Sequence, residues 1–118
     1  MQVKWTELIQ LDESGVDRIK EVSGVYRISH YHQTDKKYYV HYVGQAENLK
    51  ERLSQHLPGN ETNSECNGFL DNYQCYFRAC AISTQAGRDG AEVALYENYK
   101  PECVERIPDV DAIEINFE

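Results

Sequence analysis

Two runs rich in β-branched and aromatic residues, Val25 to Tyr31 and Tyr38 to Val43, are separated by the polar stretch His32-Gln33-Thr34-Asp35-Lys36-Lys37. Such a pattern predicts a β-hairpin, with Tyr26 early on the first strand and Tyr42 at the end of the second. In an antiparallel pair the start of one strand lies beside the end of the next, so the two phenols converge despite their separation in sequence. After Gly44 the period changes. Asn48, with Glu51 three residues on, fits an N-cap and capping box, and Leu49, Leu53 and Leu57 recur at every fourth position as a core stripe that Pro58-Gly59 ends. Arg52 and His56 fall one turn apart on a flank of that stripe and lean over the edge of the core.

Asn60 to Asn67 reads as a polar loop. Tyr73 to Ile82 alternates as a third strand, Gln85 to Gly90 reads as a second loop, and Ala91 to Lys100 reads as a helix capped by Asp89 and stopped by Pro101. On that helix Glu92 shares a face with Leu95, Tyr96 and Tyr99, while Val93, Glu97 and Lys100 take the other. A carboxylate among apolar and aromatic groups is costly to bury unless a positive group meets it. Ser14, Val16, Ile19 and Val22 suit a short helix, and Ile113, Ile115 and Phe117 alternate with polar residues as an additional C-terminal edge strand. The fold class is α+β: a small three-stranded antiparallel sheet flanked by helices, in a single domain over residues 1–118.

The chain has 118 residues, of which 41% are apolar, enough for one core and too few for two. Cys66, Cys75, Cys80 and Cys103 form no C-x-x-C pair and no zinc-type spacing, so reduced, mostly buried thiols are expected. No apolar run has signal-peptide or membrane-span length, which points to a cytoplasmic protein with no membrane partner. The net charge of −8 is the wrong sign for a protein that grips phosphates. Its distribution is uneven. Residues 24–56 carry Arg27, Lys36, Lys37, Lys50 and Arg52 against three acids and hold all four histidines, whereas residues 84–118 carry nine acids against three bases. The net-positive stretch coincides with the hairpin and its helix, although charges also scatter this unevenly on ordinary solvated surfaces.

Candidate chemistry concentrates in the same stretch. Gly24-Val25-Tyr26 is followed by Tyr42-Val43-Gly44, then by Asn48-Leu49-Lys50-Glu51-Arg52-Leu53-Ser54-Gln55-His56, and Glu92 lies nine residues before Pro101. Either tripeptide alone carries little weight in a chain with nine tyrosines; the constellation carries the signal. It resembles the GIY-YIG nucleases over residues 23–101, with valines in place of the name-giving isoleucines and a helix of the form N-L-x-x-R-L-x-x-H. Many members have an asparagine three residues after the proline, where this chain has Val104.

The resemblance implies a metal-dependent endonuclease that hydrolyses phosphodiester bonds in DNA, including branched or damaged DNA. It implies that Glu92 holds one Mg²⁺ or Mn²⁺ and that Arg52 binds the scissile phosphate. It further implies that Tyr26 acts as, or hydrogen-bonds, the general base, and that Tyr42 and His56 orient water and phosphate. Phosphodiester cleavage needs those parts: a base, charge neutralisation and help for the leaving oxygen. A phenol of pKa near 10 needs a nearby cation to serve as a base at neutral pH. Lys36, Lys37 and Lys50 add to Arg52 as phosphate contacts. A small acidic unit of this kind would draw specificity from a protein partner or a homodimer. The alternatives are a catalytically inactive module that binds nucleic acid or protein, for which Val104 and the acidic surface speak, and a metal-binding protein using His30, His32 and His41.

Overall fold

In the computed structural model, which describes residues 1–57, 73–103 and 107–117, the hairpin forms as the pattern requires and runs longer at both ends. The elements in chain order are β1 (Ile9–Gln10), α1 (Glu13–Asp17), β2 (Gly24–His32), β3 (Lys37–Ala46), α2 (Leu49–Gln55), β4 (Cys75–Ala81) and α3 (Gln85–Tyr99). The sheet order is β1-β4-β2-β3, with every pairing antiparallel. The fold class is as expected, with one extra strand: the two-residue β1 pairs with β4, too short to leave a periodic signature.

β2 is central and β3 is the outer strand beside it. Register places Tyr26 opposite Gly44 and Ile28 opposite Tyr42, so the two tyrosines are diagonal neighbours on one face. That face packs Tyr26, Ile28, Tyr42 and Phe77 against Leu49 and Leu53 of α2. The other packs Val25, Val43 and Cys80 against Ala91 and Leu95 of α3 and against Trp5. A bulge between Ile28 and Ser29 leaves His41 as the extra residue on β3. An unpaired residue reorients its neighbours. His41 therefore stacks on His30, ring centroids 4.3 Å apart, although strict alternation would send it to the opposite face from Tyr42.

α2 begins as predicted: the Asn48 side chain accepts from the Glu51 N–H at 3.1 Å. Its predicted end at Pro58-Gly59, and the Asn60–Asn67 loop, lie outside the described residues. α3 begins six residues earlier than expected. The stretch read as a loop from Gln85 to Gly90 is helical, because Thr84 rather than Asp89 is the N-cap and accepts from the Gly87 N–H at 3.1 Å. Its two glycines are there for close packing: a Cβ on Gly90 would stand 2.6 Å from Ile113, and one on Gly87 2.7 Å from Thr84. Val93, expected on the outer face, is buried. Lys100 caps the far end in the left-handed conformation, its N–H donating to the Tyr96 carbonyl at 2.8 Å.

Residues 113–117 form no strand. They run beside the N-terminus through side-chain bonds instead: the Val3 N–H donates to Asn116 Oδ1 at 2.7 Å, and the Trp5 indole N–H to the Asn116 carbonyl at 2.8 Å. The cysteine expectation is half corrected. Cys75 and Cys80 are free and buried, and burial pushes their thiols up to about 11 and about 12. Cys103 is disulfide-bonded, its partner lying outside the described residues. Among the described residues, no helix is long and apolar enough to cross a membrane.

Candidate active site

The site forms where β3, the sheet's outer strand, meets α2 from one face and α3 from the other. A cavity of about 460 Å³ opens there, lined by Tyr42, Gly44 and Gln45 of β3, Arg52 of α2, Asp89 and Glu92 of α3, and residues 107–110. Arg52 donates through one terminal nitrogen to the Tyr42 hydroxyl at 3.2 Å and through the other to Gln55 at 2.9 Å, which aims the guanidinium across the mouth. A guanidinium beside a phenol favours the phenolate.

Tyr26 and His56 do not line that cavity. They sit directly behind it, 0% and 1% exposed. The Tyr26 hydroxyl and His56 Nε2 are hydrogen-bonded at 2.8 Å, and the Tyr42 ring packs at a tilt against both, 5.8 Å from Tyr26 and 4.6 Å from His56 by centroids. Of the five candidate residues, Tyr42, Arg52 and Glu92 line the cavity, and Tyr26 and His56 form a buried pair behind Tyr42. The cause is the diagonal register. Tyr26 starts deep on the central strand, while Tyr42 ends on the outer one.

Gly44 is what allows this packing. A Cβ there would stand 2.6 Å from the Tyr26 hydroxyl oxygen, 2.8 Å from the ring carbon bearing it and 2.9 Å from the Tyr42 ring. Only a bare backbone lets the two rings close over the strand. Gly24 is constrained as well, since a Cβ on it would meet the Cys80 carbonyl oxygen at 2.0 Å. The glycines of both tripeptides are thus required by packing.

Sequence reasoning read Asp89 only as a cap and missed the network it centres. Its Oδ1 accepts from Gln45 at 2.7 Å and from Gln85 at 2.7 Å, and Gln85 also donates to Gln45 at 2.8 Å. The Gln45 amide first, then that of Gln85, hold the Asp89 carboxyl below the usual carboxylate range. This network ties the end of β3 to the first turn of α3, one turn before Glu92. Its only sequence signal was the position of Gln45 immediately after the second tripeptide. Residues 107–110, which wall the cavity, gave none.

Lys36 and Lys37 lie exposed at the hairpin turn, as expected. Lys50 does not join the cavity; it turns toward α1, its Nζ 4.0 Å from Asp17 Oδ1. His30, His41 and Tyr73 stack as an aromatic group away from the cavity. Among the described residues, no group of three or more His, Cys, Asp or Glu side chains is arranged to hold a metal ion. The histidine-metal alternative accordingly finds no ligand set there.

The family model of the GIY-YIG catalytic domain matches residues 22–118. The chain belongs to the GIY-YIG family. No curated protein matches it. Among solved structures, it is similar to the GIY-YIG N-terminal endonuclease domain of UvrC from Thermotoga maritima. A point mutant of that domain, bound to its catalytic divalent cation, aligns with a TM-score of 0.56 at 18% identity, covering 80% of this chain and 99% of that one. The magnesium-bound form aligns with a TM-score of 0.54, also at 18% identity, covering 77% and 96%. At this identity the likeness speaks to the fold: the GIY-YIG sheet and helices span nearly the whole of the compared domain.

Proposed function

We propose that this GIY-YIG protein is a divalent-metal-dependent endonuclease that hydrolyses phosphodiester bonds in DNA, working as one domain over residues 1–118. The observation that carries the reading is the convergence of Arg52, Tyr42 and Glu92 on one open cavity, with the Tyr26–His56 pair bonded behind it. The compared domain is an endonuclease bound to a catalytic divalent cation, magnesium in one form, which supports the same chemistry here.

The donor set suits a hard cation. The acids lining the cavity, Glu92, Asp89 and Asp109, together with the Tyr42 hydroxyl, offer oxygen donors and no thiol or imidazole. Mg²⁺ takes oxygen ligands, keeps several of its waters and needs few carboxylates. Glu92 would hold it. When bound, the ion neutralises charge developing on the phosphate and leaving oxygen.

Arg52 binds the phosphate, its fork already held across the mouth by Tyr42 and Gln55. The family resemblance pointed to Tyr26 at or beside the base. Both phenols are buried, but Tyr42 lines the cavity with Arg52 bonded to its hydroxyl, whereas Tyr26 does not line it, which supports moving that role to Tyr42. Tyr42 therefore takes the proton of the attacking water. Tyr26 and His56 hold its ring in place. Lys36 and Lys37 contact flanking phosphates, and a protein partner or second copy supplies site selection.

The test is incubation with supercoiled plasmid and with a branched DNA, in Mg²⁺ or Mn²⁺ and then in EDTA. Metal-dependent nicking or cutting that is lost in Glu92→Gln supports the reading. Binding without cleavage in every metal sinks it in favour of an inactive module.

A further inference from the structure

The geometry points to a second nucleic-acid contact on this protein, separate from the cavity: a tyrosine platform at the hairpin end, formed by Tyr31, Tyr38 and Tyr76, that stacks the unpaired bases of a single-stranded flank. The idea rests on the nuclease reading for the course of the strand, and it deepens that reading by naming the substrate class: DNA with a single-stranded tail or branch next to the cleaved bond.

The three rings occupy the sheet face that α3 covers, but beyond the reach of α3. Register pairs Tyr31 with Tyr38, and Ser29 with Tyr76, which puts all three on the face of Val25 and Val43. Tyr31 and Tyr38 stand 5.0 Å apart by centroids, and Tyr38 and Tyr76 5.7 Å apart at 89°. Tyr31 is 40% exposed and Tyr38 49%, although both sit in regular strand, where a covered face would bury them. The Gln74 amide donates to the Tyr76 hydroxyl at 2.9 Å and steadies that ring.

The charge around the rings selects the occupant. β2, β3 and β4 contain none of the chain's twenty acids, in a protein of net charge −8, and of their three bases Arg27 is buried against Trp5 and Tyr99, which leaves Lys37 and Arg78 at the surface. Arg78 shares the tyrosine face, and Lys36 and Lys37 edge it at the turn. Among the described residues the aliphatic neighbour on this stretch of the face is Val40, which is half-buried and packs inward against the Val25 and Val43 cluster; the rings among cations left at the surface are what base-and-phosphate binding uses. Reach also fits. Tyr38 lies six residues from Gly44 along β3, about 20 Å at strand rise, which is about six nucleotides at the spacing of a stacked strand. A strand leaving the cavity at this outer edge can follow β3 to the platform.

The test is fluorescence anisotropy in EDTA, so that binding is read without cleavage. It compares a blunt duplex with the same duplex carrying oligo-dT tails of about three or about ten nucleotides, on either strand end. The parent should prefer the long tail over both the short tail and the blunt end. Tyr31→Ala with Tyr38→Ala should remove that preference, a loss of roughly five- to hundredfold on the long tail at the usual worth of base stacking. Binding to the blunt duplex should stay within about twofold. Tyr31→Phe with Tyr38→Phe should keep the preference, since the rings remain, and it guards against misfolding of the alanine variant. The proposal is overturned if the parent shows no tail preference, if the alanine pair weakens tailed and blunt DNA equally, or if it converts a sedimenting dimer into a monomer, which would make the patch a self-association face. Failure of the plasmid assay would refute the nuclease reading while leaving this binding result standing, so the two failures can be told apart.

Discussion

Gly44→Ala tests the packing on which the site depends. The new Cβ would lie 2.6 Å from the Tyr26 hydroxyl oxygen, and ordinary contact begins at 3.4 Å, so the phenol must retreat by about 0.8 Å. It has no free room, being 0% exposed and bonded to His56 at 2.8 Å. Overpacking of this kind costs about 1–3 kcal/mol, and stretching a buried hydrogen bond adds about 1 kcal/mol. Restricting the unfolded chain returns about 0.4–1 kcal/mol. A net loss of about 1–3.5 kcal/mol lowers Tm by about 4–14 °C for a domain of this size. Displacing Tyr42 along with Tyr26 should also lower kcat by about a hundredfold, the usual cost of an ångström-scale misplacement. Thermal unfolding in EDTA and plasmid nicking in Mg²⁺ read the two effects. Tyr26→Phe in the same background deletes the atom that clashes worst, so the two changes together should cost at least about 0.5 kcal/mol less than their sum. Unchanged Tm and kcat in Gly44→Ala, or strict additivity with Tyr26→Phe, would refute the reasoning.

Glu92→Gln should abolish cleavage, hold Tm in EDTA, and lose any Mg²⁺-dependent rise in Tm; a retained rise would place the metal elsewhere. Arg52→Ala should cost several kcal/mol of transition-state stabilisation, and Arg52→Lys should recover little, because a point charge cannot reproduce the fork held by Tyr42 and Gln55; full rescue by lysine would argue for bare charge. Lys36→Ala and Lys37→Ala should each flatten the log–log salt slope of DNA binding by about 0.9 while sparing kcat, read from titrations at several salt concentrations. Burial, and then the neighbouring His30, hold His41 down to about 4 from 6.5, so the folded protein binds fewer protons than the unfolded chain between those values. Stability is therefore full above pH 6.5 and lost as pH falls toward 4, by on the order of 2–3 kcal/mol. His30 is itself lowered by burial and His32 against a weaker opposing effect of Glu102, and it acts in the same direction. Urea midpoints across that range should lose much of their slope in His41→Gln, and an unchanged slope would count against the assignment.

What the sequence determined by itself was local and periodic. The hairpin, the Asn48 cap, the leucine stripe of α2 and the nearness of Tyr26 to Tyr42 all follow from alternation, capping and antiparallel geometry over a few neighbouring residues. What tertiary structure alone decided was which side chains would be sealed. Tyr26 and Tyr42 share a face, yet one lies on a central strand under α2 and the other on the outer strand beside the cavity, a difference set by strand order rather than by period. The bulge that swings His41 onto His30, the turn of Lys50 toward Asp17, and the wall formed by residues 107–110 arise the same way. Each depends on segments far apart in the chain meeting at one place. The helical start at Thr84 was missed because two glycines resemble a loop until Ile113 is packed against one of them. Gly44 joins both levels: its place in a tripeptide could be read directly, but the reason for it appeared only once a phenol lay across its backbone.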